Sequence, residues 1–443
     1  MLCASLSAFA YAQSTSDILK QQAGQGVKEG ATVATEKTAD KVTDKILGKI
    51  FDKKKKPSSD NNASTGSQGS GNSGSNAANT SGNNSSTDSK DSPASFKTYS
   101  KFDFIPGDKI LAYDDFSKDA VGDFPVAWNT NSSGEVVTAS NQDGHWLMVR
   151  KPGKFIPEYL KELPDNFTFE YDVICNEKFS FYSPHLLLYF LTGNNSGKEV
   201  FDNTFIPGEK RSGVKIGAHP TDAGSNGGSA LEESFEDGSS VIKNDVNTTQ
   251  FNSNGGKTKL HVSVWRQKQR LRVYFNEEKV YDLPRAFPDG KSYATVFFEI
   301  WGDMKDPDRY LIGNIKFAAG APDTRNKLIT EGKFVTRGIL FDVNSDKIKP
   351  ESYGVLKDIA NVLAENSSVK VKIIGHTDSD GKDADNLSLS RRRAESVKAS
   401  LAKDFGIDAS RLDTDGKGAS QPVDTNNTAE GKANNRRVEF IKE

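Results

Sequence analysis

Cysteine is nearly absent from this 443-residue sequence: Cys3 and Cys175 are the only two. If the first is lost on export, no intrachain disulfide can form, so each domain must be large enough to be stable without a covalent staple. Charge of one sign is also missing. The 58 Lys and Arg face 60 Asp and Glu, a formal net charge of -2, which leaves no general basic field for nucleic acid, and no such partner is expected. No window approaches the roughly 18 apolar residues of a membrane-spanning helix, and no series of roughly ten-residue alternating segments announces a membrane barrel. His145, His185, His219, His261 and His376 form no pair at metal-ligand spacing, and no EF-hand pattern occurs, so neither metal nor cofactor is assigned. Hydrophobic residues make up only 35 %, too few for one continuous core over this length; two or three folded units with a linker are expected.

The first twelve residues end in Ala10-Tyr11-Ala12, the small-x-small pattern of a secretory cleavage site, so residues 1–12 read as the end of a signal peptide. Cys3 lacks the Leu-x-Gly/Ala context of a lipid anchor. Residues 13–56 are basic: from residue 14 onward they hold ten Lys against six Asp or Glu, with Val42, Ile46, Leu47 and Ile50 on one helical stripe. That is an amphipathic helix suited to an anionic membrane surface or a partner, although Gly24, Gly26 and Gly30 weaken its first half. Residues 57–98 are Asn, Ser, Gly and Thr with hardly an apolar side chain, a disordered tether with a reach of roughly 35 Å.

From residue 99 to 320 the pattern becomes short alternating runs between Gly, Pro, Asn and Asp, predicting an all-β antiparallel sandwich. Phe167, Phe169, Tyr171 and Val173 alternate with Thr168, Glu170 and Asp172, aromatics to one face and polar groups to the other. Leu260, Val262 and Val264 face Leu271, Val273 and Phe275 across the turn Gln267-Lys268-Gln269, a hairpin. The stretch Gly193 to Gly255 reads as long rim loops, a candidate place for a glycan or protein ligand. Asp114-Asp115-Phe116, Val121 to Pro125, Trp128 and the Val273 to Asn276 hairpin resemble concanavalin-like, laminin-G-like jelly rolls, a resemblance that implies fold more firmly than function. Glu170, Asp172 and Glu177 are similar to a strand motif of sandwich glycosidases. Glu170 and Asp172 share a strand face, as paired carboxylates must, but Glu177 falls on the wrong parity. A wall-targeted glycoside hydrolase is the alternative those residues define.

After residue 328 strand and helix alternate, giving an α/β unit with about four strands and two main helices in the order βαβαββ. Gly338 to Val343 reads as a strand. Tyr353, Leu356, Ile359, Ala360 and Leu363 then recur at helical spacing behind Pro350, and Val369, Val371 and Ile373 lead into Gly375. Ala394, Val397 and Leu401 mark a second helix ending before Gly406, and Val438 to Ile441 form the last strand.

Four blocks in order carry a close resemblance: Phe341-Asp342-Val343-Asn344-Ser345, Gly375-His376-Thr377-Asp378, Asn386-Leu387-Ser388-Leu389-Ser390 with Arg393, and Asn435-Arg436-Arg437-Val438-Glu439-Phe440. They are similar to the OmpA carboxyl-terminal domain. The resemblance implies noncovalent binding of peptidoglycan through the diaminopimelate of its stem peptide, with Asp378 taking the ammonium and Arg393 the carboxylate. Asn386 would add a hydrogen bond or cap the helix, and Phe341, Asp342, Thr377 and Leu389 would line the pocket. Diaminopimelate ends in an ammonium and a carboxylate, which requires one anion and one forked cation at fixed separation. Arg391, Arg392 and Arg393 are consecutive and cannot all face one site; the family register selects Arg393. Arg436 and Arg437 are expected to tie the last strand to neighbouring carboxylates, and His376 to be structural. No catalytic residue is expected. The chain reads as a tether in the periplasm or cell envelope of a Gram-negative bacterium, with residues 14–56 as the candidate outer-membrane contact.

Overall fold

The computed structural model describes residues 102–140, 142–193, 200–201, 211–221, 227–320 and 323–443. The expectations for residues 1–12, 13–56 and 57–98 lie outside them. The strands of the first part are β1 (Lys109–Asp114), β2 (Trp128–Thr130), β3 (Gly134–Ala139), β4 (Gln142–Val149), β5 (Gly153–Pro157), β6 (Asn166–Cys175), β7 (Leu186–Thr192), β8 (Gly213–His219), β9 (Gly228–Glu236), β10 (Ser239–Thr248), β11 (Lys259–Gln267), β12 (Arg270–Phe275), β13 (Glu278–Leu283), β14 (Tyr293–Ile300) and β15 (Tyr310–Ala319). They form an eight-stranded sheet, β13-β12-β11-β6-β15-β4-β3 with β1 also on β15, and a seven-stranded sheet, β10-β9-β8-β7-β14-β5-β2.

Alternation on β6 makes the sandwich. Phe167, Phe169, Tyr171 and Val173 are fully buried, and Phe169 meets Phe190 of the opposite sheet edge to face at 5.5 Å. The predicted hairpin is present, β11 pairing with β12 from Val262↔Phe275 to Gln267↔Arg270, with Lys268 in the left-handed region that the tight turn needs. The reading of Gly193 to Gly255 as loops is corrected: β8, β9 and β10 lie within it, paired from Gly213↔Phe235 and Ser239↔Glu236 onward. Gly and Ser dilute the alternation there, while the backbone ladder against β7 still forms.

The second part comprises β16 (Lys333–Thr336), α1 (Tyr353–Glu365), β17 (Val371–His376), α2 (Asp383–Phe405), β18 (Leu412–Gly418), α3 (Ala429–Asn435) and β19 (Val438–Lys442). The sheet order is β16-β19-β17-β18, with β17 and β18 parallel. The order is thus βαβαβαβ, correcting βαβαββ. The extra helix α3 is short and has no apolar stripe; Thr428 caps it by accepting from the Gly431 amide. The predicted strand Gly338 to Val343 is also corrected. The sheet strand is Lys333–Thr336. Residues 340–349 instead fold back on themselves, Lys349 donating to the Leu340 carbonyl and Asp342 to that of Lys347, around Asn344 at positive φ.

The outer face of the eight-stranded sheet is charged and covered. Glu170 is buried, with Lys316 Nζ at 2.8 Å and His261 Nε2 at 3.5 Å. Asp172 accepts from His261 Nδ1 at 2.7 Å and Asn314 at 2.9 Å, with Lys259 at 3.4 Å. Burial alone would raise both carboxyls, but the cations overcome it and hold them below their usual range. Burial likewise opposes charge on His261, yet its bonds to Asp172 and Glu170 push it up to about 10. Glu177 stands apart on an exposed turn.

Beside this network, Phe102 and Phe104 pack on Tyr274 and Trp265, with ring centroids at 5.5 and 6.0 Å. The same segment leans on α1: a Cβ on Gly354 would strike the Phe104 carbonyl oxygen. Gly354→Ala should therefore destabilise this junction by about 1–3 kcal/mol, read as a lower thermal midpoint; an unchanged midpoint would contradict the packing. The stability gained by charging His261 is complete below its ordinary 6.5 and is lost as pH climbs to about 10. Across that window the stability of the native chain should fall more steeply than that of His261→Gln, and parallel pH profiles would refute the network.

Candidate ligand-binding site

The ends of β16, β17 and β18 and the start of β19 lie at one edge of the four-stranded sheet, since Thr336 and Gly375 both pair with Val438 and His376 pairs with Gly418. Chain leaving the carboxyl ends of such strands is where α/β sheets usually bind ligands. Helix α2 approaches this edge closely, because Gly375 lies against Ser390 and any Cβ there would strike the Ser390 carbonyl. Its buried stripe is Asn386, Ser390, Ala394, Val397 and Leu401. Asn386, Leu389 and Arg393 therefore rise along one flank, separated by three and four residues.

Asp378 follows β17 and is almost enclosed, at 8 % exposure. Its Oδ1 accepts from the Asp380 amide at 3.1 Å and its Oδ2 from Arg436 Nη1 at 2.5 Å. Arg393 is half-buried. Its Nε donates to the Ser345 carbonyl at 2.9 Å, and its guanidinium lies over the Phe341 ring at 4.9 Å. Among the described residues no carboxylate lies within ion-pair distance of Arg393. Burial first and the nearby Arg436 second press its pKa down, with Asp378 opposing. Arg391 and Arg392 are exposed, and Arg392 turns back to Ser388 Oγ.

The other residues divide into loop supports and lining. Asn386 is buried and donates to the carbonyls of Asp378 at 3.4 Å and Asp380 at 3.0 Å. Thr377 is buried and anchored by its amide to the Gly418 carbonyl. Both shape the loop that presents Asp378. Phe341, Asp342 and Leu389 are partly exposed; Asp342 pairs with Lys347 at 3.2 Å. Asp380 is engaged by Lys432 at 2.7 Å. The cluster thus sets two guanidinium groups, Arg393 and Arg436, near the carboxylate of Asp378, which pairs with Arg436 alone, while Asp346 also acts on Arg393 from a distance.

Arg436 is the residue that sequence reasoning placed elsewhere. It does tie the last strand to a carboxylate, as expected, but that carboxylate is Asp378. The signal was strand parity: Arg437 and Glu439 are two apart, share a face and pair at 2.8 Å, which leaves Arg436 on the side of Val438, Phe440 and α2. His376 is buried, with Glu439 at 3.6 Å. Asn435 pins the 423–426 turn, accepting from the Val423 and Asp424 amides and donating to the Asp424 carbonyl and Asn426.

The sequence model of the OmpA family matches residues 340–436, a span that holds Asp378, Arg393 and Arg436. Outer membrane porin F of Pseudomonas fluorescens is 46 % identical over 101 residues, 23 % of this chain and 31 % of the relative. The probable lipoprotein YiaD of Escherichia coli is 41 % identical over 127 residues, 26 % of this chain and 58 % of its own length. The chain thus spans about a third to three fifths of these two curated relatives. A solved structure described as the cell wall anchor of the T6SS from Pseudomonas aeruginosa is 34 % identical, covering 25 % of this chain and 81 % of its own, with a TM-score of 0.23. Residues 340–436 of this chain are an OmpA family domain.

Proposed function

We propose that the chain binds peptidoglycan noncovalently in the Gram-negative cell envelope, through the diaminopimelate of the stem peptide, and so holds its β-sandwich on the wall. The observation that carries this reading is the half-buried Arg393, which makes no ion pair among the described residues: Asp378 and Asp346 act on it only from a distance, and a second guanidinium, Arg436, opposes its charge. A cation partly withdrawn from water and held to a carbonyl and a ring rather than to a carboxylate retains attraction for an incoming anion, so the cluster is suited to receive a carboxylate. Asp378, also buried, is the matching acceptor for an ammonium, and an incoming ammonium would share it with the exposed Arg436. Phe341 and Leu389 give the methylene chain that leads to the two ligand charges an apolar wall. Relatives named as outer-membrane proteins and lipoproteins support the address.

The sandwich is read as a concanavalin-like jelly roll carried by the tether, available to a glycan or protein partner. For the alternative of a glycosidase, an acid must hold its proton near neutral pH, whereas Glu170 and Asp172 are both held ionised. That favours the tether over the enzyme.

In pull-down with purified diaminopimelate-type sacculi, Asp378→Ala and Arg393→Ala should each weaken retention by at least ~10-fold. Arg393→Lys should remain weak, because a point charge does not replace the fork. Retention of either alanine variant at the native level would overturn the reading.

A further inference from the structure

The site does not end at the α/β domain, because β1 of the sandwich touches it at two points. Ordinary alternation from Ile110 would put Ala112 on the outer face and Tyr113 in the core. A bulge at Leu111 breaks the register, with Ile110 opposite Ala318, Ala112 opposite Phe317 and Tyr113 opposite Lys316. Ala112 therefore enters the sandwich core, while Ile110 and Tyr113 both face outward, where Ile110 packs on Ala433 of α3. Re-aimed in this way, the Tyr113 ring lies 6.0 Å from the Arg436 guanidinium, the same group that holds Asp378. Burial, and then Asp115, push the Tyr113 phenol up to about 12, with Arg436 acting the other way, as expected for a neutral ring beside that cation.

The second point is a two-way clasp. Asn434 Oδ1 accepts from the Ile110 amide at 3.2 Å and its Nδ2 donates to the Ile110 carbonyl at 3.1 Å. Asn434 also donates to Asp424 at 2.9 Å. From the turn that carries Asp424, Asn426 Oδ1 accepts the amide of Ser379, next to Asp378, at 3.2 Å. One sandwich strand is therefore linked to both members of the Asp378–Arg436 pair, to the cation through a ring and to the carboxylate's loop through amides.

We propose that Tyr113 is a positioning residue of the peptidoglycan site, its ring fixing the Arg436 guanidinium beside Asp378 so that the sandwich completes the pocket of the domain that follows it. This rests on the function proposed above. Arg436 is 41 % exposed at its side chain, and without a ring to lie against, a long exposed side chain must be ordered at the moment of binding. The ring is a contribution of the fused sandwich, since β1 lies outside the matched residues 340–436.

The test uses the full chain and a stem tetrapeptide with meso-diaminopimelate in third position, titrated by calorimetry. Tyr113→Ala and Tyr113→Leu should each weaken binding ~2- to 5-fold, while Tyr113→Phe, which keeps the aromatic face, should bind like the native chain. The Leu variant decides the matter if the Ala variant fails to fold. Native affinity in Tyr113→Leu, or equal weakening in Tyr113→Phe, would overturn the inference. Asp378→Ala run alongside separates the two claims: if it abolishes binding while Tyr113→Leu changes nothing, the inference fails alone, and if it binds as the native chain does, the reading of the site fails first.

Discussion

Helix α2 lies on β17 with no side chain between them at Gly375, and that contact governs the geometry of the site. A single Cβ at this position would meet the Ser390 carbonyl and lift the helix, taking Arg393 away from Asp378. The contact is reinforced by Ser390 Oγ, which accepts from the Gly418 amide at 2.9 Å and donates to the Leu387 carbonyl. With backbone thus set against backbone, the flank of α2 carrying Asn386, Leu389 and Arg393 has little freedom to slide. Asn386 then carries the order outward by gripping the loop on which Asp378 stands.

The charges follow from this scaffold. A buried ion pair costs desolvation that its attraction only partly offsets, and the site keeps its groups ionised by dividing that cost. Asp378 has a backbone amide and Arg436; Arg393 has a carbonyl and the face of Phe341. Arg393, without a direct ion pair, retains attraction for a carboxylate, and under the proposed function the ligand that satisfies both halves is one whose ammonium and carboxylate share a carbon. The second network, around Glu170, Asp172, His261 and Lys316, is a contrasting case: its opposing charges are matched within the protein.

How much of this could be read in advance depended on whether local pattern or tertiary closeness set each feature. Strand β6 and the β11–β12 hairpin were legible because full burial on one face forces strict alternation. The stripe on α2 and the Asp378 loop were legible from motif and spacing. Strands β8 to β10 were not: the alternation of Val214, Ile216 and Ala218 on β8 is short and flanked by glycine, β9 buries Glu232 and Ser234 among its inward positions, and β10 is a largely polar edge strand with one neighbour. The strand expected at Gly338 to Val343 failed because an apolar run can turn back on itself as readily as join a sheet. Parity sets Arg436 on the face opposite Arg437, but its partner Asp378 required knowing that β19 lies between β16 and β17, an order no local pattern contains. The contribution of β1 required both that order and a bulge.

The sandwich and the α/β domain share a junction built from Phe102, Phe104 and the Ile110–Asn434 clasp, so the Asp378 edge and the sandwich are held as parts of one compact unit. The claim beneath all of this is that the site recognises both charges at the end of a diaminopimelate side chain. The most direct measurement is a calorimetric comparison of two stem tetrapeptides that differ only in the third residue, meso-diaminopimelate or lysine, the latter keeping the ammonium and losing the carboxylate. The account predicts that the diaminopimelate peptide binds at least ~10-fold more tightly, and equal affinity for the two would contradict it.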